Sequence, residues 1–235
     1  MEVIVVKTQE EAAEKTYELI HNQLEKGELK TLGLATGSTP LKLYAKMREE
    51  KPDVSEVTTV NLDEYVGLEP TDPQSYRFFM DKELFETLFF KETHVPNGVA
   101  EDLEAECVRY EQLLADHPID LQVLGLGGNG HIGFNEPGTP FNAKTHVVKL
   151  TQETIDANKR FFEKAEDVPT HAISMGIASI MAAKEIVLLA FGEGKADAVQ
   201  AMVEGPVTED CPASVLQNHK NVTIIVDEAA GSKLS

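Results

Sequence analysis

Short apolar runs of strand length alternate along this chain with longer segments whose apolar positions recur at helical spacing. Glu2-Val3-Ile4-Val5-Val6 opens the pattern as a strand. Thr8 and Glu11 then stand at capping-box spacing, Ala12, Ala13, Leu19, Ile20 and Leu24 share one helical face, and Gly27 suits the helix end. Residues 31–35, 57–62, 121–126, 172–175, 185–191 and 222–226 predict further strands, and 145–150 an extended stretch. Between them the pattern predicts helices from Pro40 to about Lys51 and over 76–88, 102–115, 152–162, 177–183 and 195–203. Strands that alternate with helices imply an α/β fold: a mostly parallel, open sheet with helices on both faces, in three Rossmann-like layers. No internal repeat, low-complexity tract or Pro/Gly/Ser-rich linker divides the chain, so residues 1–235 are expected to form a single domain.

Composition narrows the function classes. Forty acidic against 21 basic residues give a formal net charge of −19, a field that repels nucleic acid and anionic membranes. No apolar run reaches bilayer-spanning length, and the N-terminal segment lacks a basic region followed by an apolar core. A cytoplasmic location is the expectation. Cys107 and Cys211 have no paired metal spacing and read as reduced, buried thiols.

The chemistry-bearing residues gather where strands are expected to end. The apolar run 121–126 leads into Gly127-Gly128-Asn129-Gly130-His131-Ile132-Gly133-Phe134-Asn135-Glu136-Pro137. Glycines permit close backbone approach to a ligand, and an imidazole there can move protons near neutral pH, with Glu136 five positions on. Thr36-Gly37-Ser38-Thr39-Pro40 joins a strand to a helix, so its N–H groups and hydroxyls suit an anion, or Ser38 or Thr39 simply caps the helix. It lacks the spacing of a Walker A loop. Gly192-Glu193-Gly194-Lys195 has the same placement and adds a cation, while Arg160 offers a planar fork for a phosphate. Asp63 and Glu64 stand at the end of the strand over 57–62, where one of two neighbours faces the cleft and either could otherwise be a turn acid. His21, His94, His117, His146, His171 and His219 show no metal-ligand spacing among themselves and read as structural or surface residues.

Together these blocks resemble the glucosamine-6-phosphate deaminase family, which shares a superfamily with 6-phosphogluconolactonase. The resemblance covers nearly the whole chain and is carried by Leu34–Pro40, Asn61–Gly67, Gly130–Pro137, Ala157–Phe162 and Gly194-Lys195. It implies conversion of glucosamine 6-phosphate and water into fructose 6-phosphate and ammonia, without cofactor or metal. By the same resemblance His131 opens the sugar ring, Asp63 moves a proton from C2 to C1, and Glu136 is a relay acid beside the histidine. Thr36, Gly37, Ser38, Thr39, Arg160 and Lys195 match the grip on the 6-phosphate. Asn129 occupies a position that is Asp in many members; it can orient His131 but adds no negative charge.

Longer, hexameric members bind N-acetylglucosamine 6-phosphate through basic residues in the stretch matching Lys144–Lys149 and through an extra C-terminal segment. His146 and Val148 stand at matching positions here, and the sequence stops soon after Val226, so an unregulated monomer is the expectation. The only implied partner is a small sugar phosphate. A lactonase would leave Asp63 without a task, and a sugar-phosphate sensor would require a DNA-binding segment that the charge disfavours. Residues 139–161, which join the glycine-rich loop to Arg160, are a candidate lid.

Overall fold

The computed structural model describes residues 1–159 and 162–235. Strand β1 (Glu2–Val6) leads into helix α1 (Gln9–Glu25). The α1 start is capped as its sequence requires: Thr8 Oγ1 accepts from the Glu11 N–H at 3.1 Å, while Glu11 reaches back one residue further than expected, to the Lys7 N–H at 2.9 Å. Strands β2 (Thr31–Leu34), β3 (Thr58–Asn61), β5 (Glu92–His94), β6 (Leu121–Gly125), β9 (Glu185–Ala190) and β10 (Val222–Asp227) join β1 in a seven-stranded sheet. Every pairing in it is parallel, and the order is β1-β10-β9-β6-β2-β3-β5.

A parallel sheet must be covered on both faces, and its strands are apolar on both. Along β9, Ile186, Leu188 and Ala190 enter one core while Val187 and Leu189 enter the other. The first core takes in Tyr110 from α4 (Leu103–Asp116), Ile180 from α6 (Ile177–Met181) and Val199 from α7 (Ala196–Glu204). The second takes in Tyr17 from α1, Met47 from α2 (Leu41–Glu50) and Met80 from α3 (Tyr76–Met80). Each such buried side chain contributes about 1.5–3 kcal/mol, so the two cores dominate the fold's stability.

Three features depart from the sequence expectation. The chain leaves the large sheet at Leu62, and Asp63–Tyr65 forms β4 of a second sheet rather than standing as a loop. That small sheet is antiparallel, in the order β4-β8-β7, with β8 at His171–Ser174 and β7 at His146–Lys149, so the expected strands over 172–175 and 145–150 belong here. Strand β5 has no apolar pattern because it lies at the sheet edge, with Glu92 exposed. The helix expected over 76–88 is instead short α3 continuing into a π-turn at Asp81–Phe85. Helix α5 (Gln152–Asn158) occupies the start of the stretch expected over 152–162, which runs on into residues outside those described.

Strand order reverses between β6 and β2: from β2 the chain proceeds to β3 on one side, and from β6 to β9 on the other. Loops leaving the carboxyl ends of two such strands separate and open a crevice between them.

Candidate active site

Two loops flank that crevice. The first, Thr36–Pro40, follows β2. Gly37 adopts φ +88°, a left-handed conformation that a side chain disfavours. Pro40 occupies the N-cap of α2 with no side-chain cap, so neither the Ser38 nor the Thr39 hydroxyl is engaged as the helix cap. Thr36 and Thr39 line the cleft, while Gly37 and Ser38 form the exposed tip of the same turn.

The second loop follows β6 and is held by its own backbone. The Gly127 N–H donates to His131 O at 2.9 Å, and the Gly130 N–H to Gly127 O at 3.0 Å. A Cβ on Gly127 would lie 2.1 Å from His131 Nδ1, so only glycine lets the imidazole lie against this turn. Gly130, at φ +86°, likewise makes room for Cys211, whose sulfur would be 2.7 Å from an added Cβ. Asn135 Nδ2 ties the far side of the loop to Ile132 O and Met175 O at 2.8 and 2.9 Å.

Strand β8 sets the register between the Asp63 carboxylate and the His131 imidazole. Ser174 pairs with Asp63 across the small sheet, and its Oγ accepts the Phe134 N–H at 3.1 Å. One residue thus fixes both the strand carrying the carboxylate and the loop carrying the imidazole. Asp63 is only 7% exposed. Burial, and then the neighbouring Glu64 carboxylate, push its carboxyl up to about 8. Glu64 points the other way: it accepts the N–H groups of Tyr65, Tyr76 and Arg77 at 2.8–2.9 Å and so anchors the start of α3. The pair therefore divides, Asp63 into the cleft and Glu64 into a structural cap.

Behind His131 runs a short relay. Asn129 Nδ2 donates to Glu136 Oε2 at 2.7 Å, so Asn129 Oδ1 must face His131 Nδ1, also at 2.7 Å. An amide oxygen only accepts, so the imidazole carries its proton on Nδ1 and its proton-accepting lone pair on Nε2. Glu136 Oε2 itself stands 3.6 Å from Nδ1.

Lys195 also lines the cleft, on the turn Glu193–Lys195 that precedes α7. Burial holds its ammonium below the ordinary lysine range. Such an ammonium gains from an incoming anion. The cleft has a volume of about 250 Å³, and Asp63, His131, Thr36, Thr39 and Lys195 all line it. Asn129 and Glu136 stand behind it, and Arg160 lies outside the described residues. The candidate lid over 139–161 contains β7, which is paired with β8, and ends in residues outside those described.

Sequence reasoning missed several supporting residues. Ser174 is an unremarkable strand serine until the small sheet is assembled. Tyr76 lines the cleft, is hydrogen-bonded to Thr36, and stacks nearly parallel on Phe134, with ring centroids 6.3 Å apart. An aromatic in an apparent helix carries no signal that distinguishes the cleft from the core.

A parallel sheet whose order reverses at a polar cleft defines an open α/β protein of the doubly wound class. Within that class the chain belongs to the family of glucosamine-6-phosphate isomerases and 6-phosphogluconolactonases, whose sequence pattern matches residues 6–225. It is 59% identical over 235 residues to a glucosamine-6-phosphate deaminase of Bacillus cereus (strain B4264), covering 100% of this chain and 90% of that relative. Identity to the corresponding deaminase of Bacillus thuringiensis (strain Al Hakam) is 60% over the same span and coverage. In three dimensions the chain is similar to a monomeric glucosamine-6-phosphate deaminase, with TM-score 0.93, 44% identity and 99% of each chain covered. A 6-phosphogluconolactonase from Trypanosoma brucei, at 19% identity and TM-score 0.80 over 100% of this chain and 98% of its own, shares the fold.

Proposed function

We propose that this chain is a glucosamine-6-phosphate deaminase, converting glucosamine 6-phosphate and water to fructose 6-phosphate and ammonia. The observation that carries the residue roles is the convergence of a buried carboxylate, an oriented imidazole and a lysine-bearing anion turn on one cleft. Lys195 and the Thr36–Thr39 turn hold the 6-phosphate, with Arg160 as a further ligand. Fixing the phosphate places C1 and C2 against the opposite wall, and positioning of this kind is worth several kcal/mol, up to about 7–11.

In the first step His131 Nε2 takes the proton of the anomeric hydroxyl and returns it to the ring oxygen, giving the open-chain aldehyde. Asn129 and Glu136 steady the imidazolium formed in passing. Asp63 then removes the C2 proton; the electron pair forms a C1–C2 double bond as the C1–O1 π bond opens and O1 takes a proton from water. The resulting enolamine receives the proton held by Asp63 at C1 while the nitrogen lone pair forms the C2–N double bond. The resulting C2 iminium takes up water and releases ammonia, leaving the ketose. A carboxylate confined in a dry pocket is a stronger base than one in water, which suits it to a carbon acid.

Hyperbolic rate curves unaffected by N-acetylglucosamine 6-phosphate and a monomeric mass are the expectations for regulation and assembly. Among the described residues no helix is long and apolar enough to cross a membrane, and the phosphorylated substrate supports a cytoplasmic setting. The decisive experiment measures ammonia released from glucosamine 6-phosphate by the purified chain and by Asp63→Asn. Release that is abolished in the variant supports both the activity and the base. Absence of release by the parent chain overturns the activity, and release undiminished in the variant overturns the role of Asp63.

A further inference from the structure

We propose that Glu92, His94 and His117 form a site for a divalent transition-metal ion of the zinc type, remote from the catalytic cleft. Glu92 and His94 are two residues apart on β5 and therefore project from the same face of that strand. As the last strand of the large sheet, β5 pairs only with β3 among the described residues. His117 is the C-cap of α4, where φ −124° and ψ 71° end the helix. Its Nε2 lies 3.9 Å from Glu92 Oε2, His94 Nε2 lies 2.9 Å from that same oxygen, and one ligand atom from each of the three lies within 4.8 Å of the others.

Bonds of about 2.1 Å in tetrahedral geometry put donor atoms roughly 3.4 Å apart, midway between the two separations. Small rotations of the rings, whose centroids are 5.8 Å apart, would close the set around an ion. Two imidazoles and one carboxylate suit zinc, nickel or cobalt rather than magnesium or calcium, and leave a position for water. The carboxylate is held below its ordinary range, first by its hydrogen bond to His94, and the chain's charge of −19 favours cations generally. Glu92 pairs with Thr58 at the start of β3, whereas Asp63 and His131 follow the carboxyl ends of β3 and β6. An ion here would clamp the sheet's edge strand to the end of α4 and take no part in deamination. The 23-position gap between the two histidines hides the set from any reading of sequence spacing.

Calorimetric titration of tag-free, metal-stripped protein with zinc chloride tests this. We expect saturable binding of a single ion, weakened at least tenfold in His94→Gln and in His117→Gln, unaffected by excess magnesium, and weakened as pH falls because imidazole binds metal only when unprotonated. Zinc well above its dissociation constant should raise Tm by about 5 °C in the parent chain and not in His117→Gln. Ammonia release should be the same with zinc, with chelator and in both variants, which separates this site's failure from any failure of the deaminase assignment. Absence of saturable zinc binding, binding that persists in the double histidine variant, or equal competition by magnesium would each overturn the site.

Discussion

Two aspartates, one at each end of the large sheet, are both buried and titrate in opposite directions. Asp120, 5% exposed at the amino end, accepts the N–H groups of Lys30 and Thr31 at 2.7 and 2.8 Å and the Lys184 ammonium at 2.6 Å. Burial disfavours its charge, but those donors outweigh burial and hold the carboxyl below the ordinary range. Asp63, 7% exposed at the carboxyl end, is pushed up to about 8 by burial and by Glu64. Asp120 stitches together the starts of β2, β6 and β9. Asp63 is left with its basicity intact. The difference lies in whether donors, the Lys184 ammonium first and then the Thr31 and Lys30 N–H groups, reach the anion, and on the proposed roles it makes one end of the sheet scaffold and the other chemistry.

The largest expected effect is at Asp63. Asp63→Asn keeps the shape and removes the base, so kcat should fall about 10³-fold in the ammonia assay. Because the folded carboxyl titrates near 8, above its unfolded range, the native state holds the proton more tightly. Stability from this group is therefore full in acid and is lost as pH rises from about 4 through 8. Thermal melts across that range should show a flatter alkaline decline in Asp63→Asn than in the parent. In the parent, kcat/KM should climb as pH approaches 8; a profile flat from pH 6 upward would refute the shifted base.

Gly127→Ala comes next. The added Cβ would lie 2.1–2.4 Å from three atoms of the His131 ring, which must swing away. A displacement of about 1 Å at a reacting group costs on the order of 10²-fold, so kcat should fall by that factor while KM, set by the phosphate grip, holds within a few fold. Asp120→Ala should do the converse. It strands the Lys30 and Thr31 N–H groups, costing about 2 kcal/mol and lowering Tm by roughly 4–8 °C, with kcat unchanged. Lys184 is 69% exposed, so the ion pair adds little to that sum. The Asp120 contribution is present above the unfolded carboxyl range and disappears as pH falls through the lowered folded value, the reverse of Asp63. A kcat loss in Asp120→Ala would erase the division between the two ends.

The alternation of strands and helices was legible because the inner strands β6, β9 and β10 are buried along nearly their whole length and so read as continuous apolar runs, whereas edge strand β5 does not. The glycine-rich loop and the Thr36–Thr39 turn were legible because a strand end followed by glycines and hydroxyls has few other uses. The small antiparallel sheet was not. Asp63-Glu64-Tyr65 is short and two of its residues are acids, and its strand character comes from pairing with Ala172–Ser174, far along the chain. For the same reason the residue pattern alone did not divide Asp63 from Glu64; the family resemblance picked Asp63, and in the folded chain the N–H groups of Tyr76 and Arg77 engage Glu64. Sequence proximity pointed to Glu136 and the family resemblance to Asn129 as neighbours of His131, but their order, with the amide between imidazole and carboxylate, is a property of the folded loop.

That order sharpens the smallest of the predicted effects. In Asn129→Asp an oxygen replaces the Nδ2 that now donates to Glu136 Oε2 at 2.7 Å, so two carboxylates abut. The cluster gains one negative charge or takes up a proton, and in the former state the imidazolium of His131 is favoured. On the role proposed for His131, ring opening requires an unprotonated Nε2, so the acidic limb of the pH–rate profile should move to higher pH. The rate at neutral pH should fall about two- to tenfold and recover under alkaline conditions. Asn129→Ala is the control: it deletes all three side-chain hydrogen bonds of Asn129 without adding charge and should depress the rate at every pH with no displacement of the limb. An Asn129→Asp profile superimposable on the parent would mean that the added carboxyl is neutralised by a proton shared with Glu136, and that Glu136 rather than residue 129 sets the charge His131 experiences.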